Sequence, residues 1–367
     1  MYSAGAPLPA MDHAARRARL RSLLVPAGCE ALLVTEPTAV RYLTGFVGSN
    51  GAVIVAGDED ADVLVTDARY RERIDHLDVA NVETSRRIEM VVSAFGAGPL
   101  GVDVEHTTLA QATRLEGARD GVALVATSGL VAGLRATKDP EEVARLRRAC
   151  AITAETLAEF AATGLSPDVT ERRLARDVEQ AFLERGADGV ASATIVASGP
   201  NGASPHHGAE GPRFEVGDLV SVDCGAEVDG YRADMTRTLP VGRAGAVSAH
   251  LSEVHAVVEA ANEAGRRAAR PGGPVADVDA AARAVIEDAG YGEAFVHPTG
   301  HGIGLDVHEA PLVHGSSAAS LAIGTAFTVE PGIYLPGVGG VRIEDSLIVL
   351  EDAVDVMTDL GRGLAPA

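Results

Sequence analysis

The chain has little cysteine, little positive charge and no long apolar run. Its three cysteines, Cys29, Cys150 and Cys224, lie far apart with no CxxC pair. That excludes a disulfide framework and a thiolate zinc site. Its 31 Lys and Arg face 52 Asp and Glu, a net charge of −21, which argues against nucleic acid or an anionic membrane as partner. No stretch approaches the length of a transmembrane helix. The apolar run Leu23-Leu24-Val25, which follows Arg16, Arg17, Arg19 and Arg21, is cut by Pro26, unlike a signal peptide. There is no low-complexity segment, short repeat or P-loop. Gly300-His301-Gly302-Ile303-Gly304 has the wrong spacing for a dinucleotide fingerprint. A reduced, cytoplasmic setting fits these absences. Residues 1–10 hold two prolines and no charge, and are expected to be disordered or dispensable.

At 367 residues the chain is long enough for two domains with ample cores. Residues 12–25 read as a basic amphipathic helix. Strands are expected near 31–35, 51–55 and 62–66, alternating with helical patches up to about residue 125. This is an α/β domain, placed at residues 1–137. A helix over 138–163 follows as a linker, with Thr137 or Asp139 as cap, Pro140 in its first turn and Gly164 at its end. Residues 164–367 have another rhythm. Helices are expected at 169–185, 246–269 and 275–289, and strands at 191–198 and 217–240. A glycine-rich, strand-like region runs from 296 to 350. The charge is uneven: residues 1–137 carry 13 basic against 17 acidic side chains, residues 164–367 carry 14 against 30.

Four pieces of the second half carry chemistry. The first is Asp223-Cys-Gly-Ala-Glu-Val-Asp-Gly-Tyr-Arg-Ala-Asp234. Asp229-Gly230 is a strong hairpin signal, and a turn there sets Asp223 against Thr236 and Asp234 against Gly225. Side-chain alternation then puts Asp223 and Asp234 on one face as diagonal neighbours, with Cys224 on the other. Like charges so placed need a cation or a proton between them, unless the hairpin is exposed and both are solvated. The second piece holds His301 and His308 among glycines, with His297 just upstream. The third and fourth are Thr328-Val-Glu330-Pro-Gly and Val341-Arg342-Ile-Glu344-Asp345, each an acid in apolar strand sequence. A buried carboxylate needs a metal, an arginine or a proton, so a structural Glu330–Arg342 pair is a second reading. Together, Asp223, Asp234, His301, Glu330 and Glu344 offer one nitrogen and four carboxylates. That set suits manganese, cobalt, iron or zinc, and two divalent cations would balance four carboxylates. Two ions about 3.5–4 Å apart can share and activate one hydroxide.

These pieces resemble the pita-bread metallopeptidases, in their aminopeptidase P and prolidase branch. VDCGAEVDGYRADMTRT, GHGIGLDVHE, TVEPGIY and GVRIED match its metal motifs in order. RYLTGF with GSNG (residues 41–51) resembles its creatinase-type N-terminal domain, and SGPNG followed by His206 resembles the approach to its active site. The resemblance covers nearly the whole chain. It implies a creatinase-like α/β domain, then a pita-bread catalytic domain with a curved antiparallel sheet flanked by helices, in homodimers. It implies two divalent metal ions per subunit, manganese foremost, with cobalt or zinc possible. Asp223 and Asp234 would bind one ion, Asp234 bridging to the second; His301 and Glu330 would complete one, and Glu344 would bridge. Glu330 would also shuttle a proton. His206 and His308 would steady the scissile carbonyl and its oxyanion, His297 would line a proline pocket, and Arg342 would support the site electrostatically. His207 is a bystander in this register. The implied activity is cleavage of the bond before proline, foremost in Xaa-Pro dipeptides, with longer peptides as the aminopeptidase P alternative. A methionine aminopeptidase usually lacks the N-terminal domain and a creatinase lacks the ligands. A catalytically inactive peptide-binding relative would have lost some of the five ligands, and none is lost here.

Overall fold

The computed structural model describes residues 7–83, 88–94, 98–118, 124–211 and 213–364. Its contacts divide the chain into two units, one spanning Ala10–Arg135, the other beginning at Ala136 and also taking in Pro9.

The first unit is built on a six-stranded mixed sheet of β1 (Ala31–Val34), β2 (Ala52–Ala56), β3 (Val63–Val65), β4 (Asn81–Glu83), β5 (Leu100–Asp103) and β6 (Leu124–Thr127), in the order β4-β3-β2-β1-β5-β6. Strands β1 and β2 are buried along their whole length, as their continuous apolar runs require. The helices are α1 (His13–Leu24), α2 (Pro37–Thr44), α3 (Ile88–Ala94), α4 (Leu109–Ala118) and α5 (Leu130–Arg135). Buried Asp62 ties α1 to the sheet, with Arg17 at 2.9 Å and Arg21 at 2.8 Å.

The second unit opens with α6 (Pro140–Thr163). Asp139, not Thr137, caps it. Its carboxylate accepts from Glu142 N while Glu142 accepts from Asp139 N, a reciprocal box that satisfies two end donors. The helix expected as a linker is packed into this unit: Ala144, Leu146, Ala149 and Cys150 are buried. Four further elements follow: α7 (Glu171–Glu184), β7 (Gly189–Val190), β8 (Ile195–Ser198) and β9 (Leu219–Cys224). The hairpin strands are β10 (Ala226–Val228), β11 (Tyr231–Arg232) and β12 (Met235–Pro240). Then come helices α8 (Ala249–Ala268) and α9 (Val275–Asp288) and strands β13 (Gly300–Gly302), β14 (Glu309–Val313), β15 (Ala326–Val329), β16 (Gly332–Leu335), β17 (Gly339–Arg342), β18 (Asp345–Val349) and β19 (Val354–Val356). All the strand pairs named in this unit are antiparallel. Val254, Val258 and Ala261 of α8 meet Ile286, Ile333, Val341 and Ile343 in one core. Val275 and Val278 of α9 meet Phe327, Val329 and Leu347 in another. Helices thus cover the sheet's apolar side.

The Asp229-Gly230 turn forms as the sequence predicts. Both residues take positive φ, 46° and 77°, which a tight two-residue hairpin demands. The register follows from it: Asp223 opposes Thr236 and Val228 opposes Tyr231. Helix α6 holds this hairpin. Glu142 accepts from Tyr231 Oη at 3.1 Å, Thr153 Oγ1 from Ala226 N at 3.0 Å, and Asp229 from Arg145 Nε at 2.7 Å. Of the leading decapeptide, residues 1–6 lie outside the described residues. Pro9, expected to be dispensable, accepts from Arg145 Nη1 through its carbonyl at 3.0 Å.

Candidate active site

The hairpin delivers Asp223 at the end of β9 and Asp234 just before β12, on one side. The charge of Asp223 acts directly on Asp234. His301 sits in the middle of β13 between two glycines. A Cβ at Gly300 would lie 2.1 Å from Thr328 O, and one at Gly302 would lie 2.1 Å from Ala310 O. Glycine on both sides therefore lets β13 press against its neighbours and brings the imidazole inward. Glu330 follows β15 and Glu344 precedes β18. Buried Asn262 of α8 donates to Val329 O at 2.9 Å and Ile343 O at 3.2 Å, fixing the residue before each of these acids.

Asp234, His301 and Glu344 are buried, and each offers a ligand atom within 4.8 Å of the others. His301 Nε2 lies 3.2 Å from Glu330 Oε1 and 3.7 Å from Asp234 Oδ2. Its Nδ1 lies 3.0 Å from Gly302 O, so Nδ1 donates to that carbonyl and Nε2 is left as a ligand atom. Glu344 Oε2 accepts from Thr236 Oγ1 at 2.8 Å. Its Oε1 is buried and has no hydrogen-bond partner among the described residues. A buried oxygen without a donor is costly, and a divalent cation is the partner this oxygen-rich, single-imidazole set fits.

The electrostatics agree. Burial pushes the Glu344 carboxyl well above its usual range, and the charges of Asp234, Glu330 and Asp223 add to the rise. Asp234 is raised for the same reasons, burial first and then Asp223, against the opposing pull of His301. Burial would lower His301, but the hydrogen bond and charge of Glu330 and the charge of Asp234 outweigh it and hold the imidazole at about 9. Burial would likewise raise Glu330, and His301 overcomes it and keeps that carboxylate low.

A cleft of about 1020 Å³ opens onto this cluster, and all nine candidate residues line it: His206, Asp223, Asp234, His297, His301, His308, Glu330, Arg342 and Glu344. The His308 ring packs against that of His301, centroids 4.3 Å apart. His297 Nε2 lies 2.8 Å from Tyr334 Oη. Arg342 does not pair with Glu330, the structural reading left open by the sequence. Its Nη2 reaches Asp223 Oδ2 at 2.7 Å, while Nη1 donates to Tyr334 Oη at 3.0 Å. His207 lies in the same cleft, but its Nε2 is 2.8 Å from Glu171. That buried carboxylate also accepts from Ser198 N and Glu210 N and so pins the loop bearing His206.

Sequence reasoning missed Asn262, Thr236, Tyr334 and Glu171. Asn262 gave a signal, an amide in the apolar stripe of α8. The others are ordinary strand and helix residues until their partners arrive from distant segments.

A two-unit α/β chain with an acid and imidazole cluster on an antiparallel sheet defines the class as a pita-bread metallopeptidase fold with a creatinase-like N-terminal domain. The chain belongs to metallopeptidase family M24, whose model matches residues 144–351, and the creatinase/prolidase N-terminal domain model matches residues 16–137. It is 30% identical to an Xaa-Pro dipeptidase of Pyrococcus furiosus over 91% of this chain and 95% of that one. An Xaa-Pro dipeptidase from Bacillus anthracis superposes with a TM-score of 0.90 at 33% identity, covering 96% of this chain and 99% of that one. An X-Pro aminopeptidase from Thermotoga maritima gives 0.85 at 31%, covering 95% and 99%. No helix among the described residues is long and apolar enough to cross a membrane.

Proposed function

We propose that this chain hydrolyses the peptide bond before proline, with Xaa-Pro dipeptides as its main substrates. The observation that carries the reading is the unpartnered Glu344 oxygen within the buried Asp234–His301–Glu344 cluster, at the floor of a substrate-sized cleft. The dipeptidase likenesses supply the substrate class. Asp223, Asp234, His301, Glu330 and Glu344 would hold two divalent ions, manganese foremost. Bound there, such ions acidify water and polarise a carbonyl. The chain's own groups do the rest. Glu330, kept ionised beside His301, takes up a proton at its carboxylate. His308 and His206 face the cleft as donors to the oxygen of the scissile carbonyl. Arg342 steadies Asp223, and Tyr334 orients His297 beside the proline ring. A homodimer in the reduced cytoplasm completes the reading. It rests on the family resemblance and on three buried free cysteines. A panel of Xaa-Pro dipeptides and Xaa-Pro-Yaa tripeptides with added manganese, cobalt or zinc tests it. Proline release that a chelator abolishes is expected; full turnover by protein shown free of metal by elemental analysis would overturn it. The likeness to the X-Pro aminopeptidase favours a second reading, action on longer peptides. Tripeptides cleaved faster than dipeptides would select it.

A further inference from the structure

The cleft is short of positive charge. Six carboxylates line it: Asp223, Asp234, Asp306, Glu309, Glu330 and Glu344. Among the described residues, the arginines that line it are Arg342 and Arg232. Arg342 is committed to Asp223, Tyr334 and Thr236. Nearby Lys138 is buried against Glu309 at 3.0 Å. Arg232 is different. It stands two residues before Asp234 in extended chain, so both project to one side. Its backbone N donates to Gly304 O at 2.8 Å, which ties it to the segment carrying His308. Among the described residues, only Nε of its side-chain donors is engaged, by Glu227 Oε2 at 3.2 Å. The side chain is 35% exposed.

We propose that Arg232 is the specificity residue that receives the C-terminal carboxylate of a dipeptide substrate. Glu227 holds the guanidinium by Nε, leaving the Nη pair as a fork for a second carboxylate. In an Xaa-Pro dipeptide that carboxylate lies one residue from the scissile carbonyl; bound ions would balance the ligand carboxylates, but a substrate carboxylate taken into the cleft still needs a cation of its own. A longer peptide carries a neutral amide at the same place. The inference rests on the Xaa-Pro reading and adds a means of selecting dipeptides.

The test compares Ala-Pro with Ala-prolinamide on metal-loaded wild-type, Arg232→Gln and Arg232→Lys proteins of equal metal content. Calorimetric binding of proline and prolinamide to the same preparations runs alongside. Arg232→Gln should raise KM for Ala-Pro by about ten- to a hundred-fold, the scale of a lost charged hydrogen bond, and leave KM for the amide unchanged. Arg232→Lys should recover part of the loss, and proline binding should weaken in parallel while prolinamide binding does not. Equal losses for acid and amide, or no loss for the acid, overturn the role of Arg232. Wild-type protein that cleaves neither compound overturns the Xaa-Pro reading instead.

Discussion

Glu344 and Asp345 are adjacent acids in apolar sequence, and both are buried, yet they live in opposite environments. Asp345 faces arginines. Arg237 Nη2 lies at 2.8 Å, Arg362 Nε at 2.7 Å and Arg266 Nε at 3.4 Å. Burial would raise its carboxyl, but Arg237 and Arg362 overcome that and hold it below the usual range. Glu344 faces Asp234, Asp223 and Glu330, and is pushed far up. One side of the chain has more cations than its acid needs, and the other has too few. The first is a finished structural knot. The second is a site that needs something from outside. Buried histidines divide the same way: His301 is held at about 9 by acids, whereas His255 is pushed down to about 4 by burial, despite a backbone hydrogen bond with Thr238. Burial alone does not mark function; an unbalanced charge does.

Glu344→Gln should break the comparison hardest. Turnover should fall about a thousand-fold or more, given the several kcal/mol of transition-state stabilisation a bound ion supplies, and metal stoichiometry should drop. Denaturant stability of the metal-free protein should hold or rise, because glutamine is neutral there without having to take up a proton. Retained metal with full kcat would place Glu344 outside the site. Asp345→Asn should do the reverse and cost about 3–5 kcal/mol of stability by stripping charge from a buried arginine cluster. An unchanged unfolding midpoint would show that the arginines repartner freely.

His308→Ala sharpens the contrast between the two stacked imidazoles. It should cost roughly 10²–10³ in kcat with metal retained, the scale of a lost oxyanion donor, whereas His301→Ala should lose both activity and metal. Equal metal loss in the two variants would mean that the ligand set must be redrawn. For His255 the folded pKa lies below the unfolded one, so the unfolded chain takes up the proton first. Stability should therefore fall as pH drops from about 6.5 to about 4, by roughly 3 kcal/mol from this group. His255→Leu should flatten that part of the profile, and an identical slope in the variant would remove His255 from the account. Deleting residues 1–10 should be smallest, about 1 kcal/mol for the Pro9–Arg145 hydrogen bond, with kcat unchanged. A large loss of activity would show that this segment supports the hairpin through Arg145.

The sequence by itself determined whatever is settled within a few residues. Asp229-Gly230 allows the positive φ values of a tight turn, and that turn alone aligns Asp223 with Thr236. Asp139, Pro140 and Gly164 start and stop α6 because cap and helix are neighbours in the chain. The order of the acidic and histidine motifs pointed to one cluster, since no isolated piece explained its own charge. Tertiary structure decided the roles of side chains whose partners are distant. Nothing local tells Glu344 from Asp345: chain alternation sends them to opposite sides, and only packing shows that Arg237, Arg266 and Arg362 gather on one side and Asp234 and Glu330 on the other. Only packing gave Arg342 to Asp223 rather than Glu330, put Asn262 beneath two carboxylate-bearing strands, and brought Arg232 to the cleft with only Nε engaged among the described residues. Turns and caps arise from short-range geometry. Charge balance is summed over segments a hundred residues apart, so it exists only once the chain has folded.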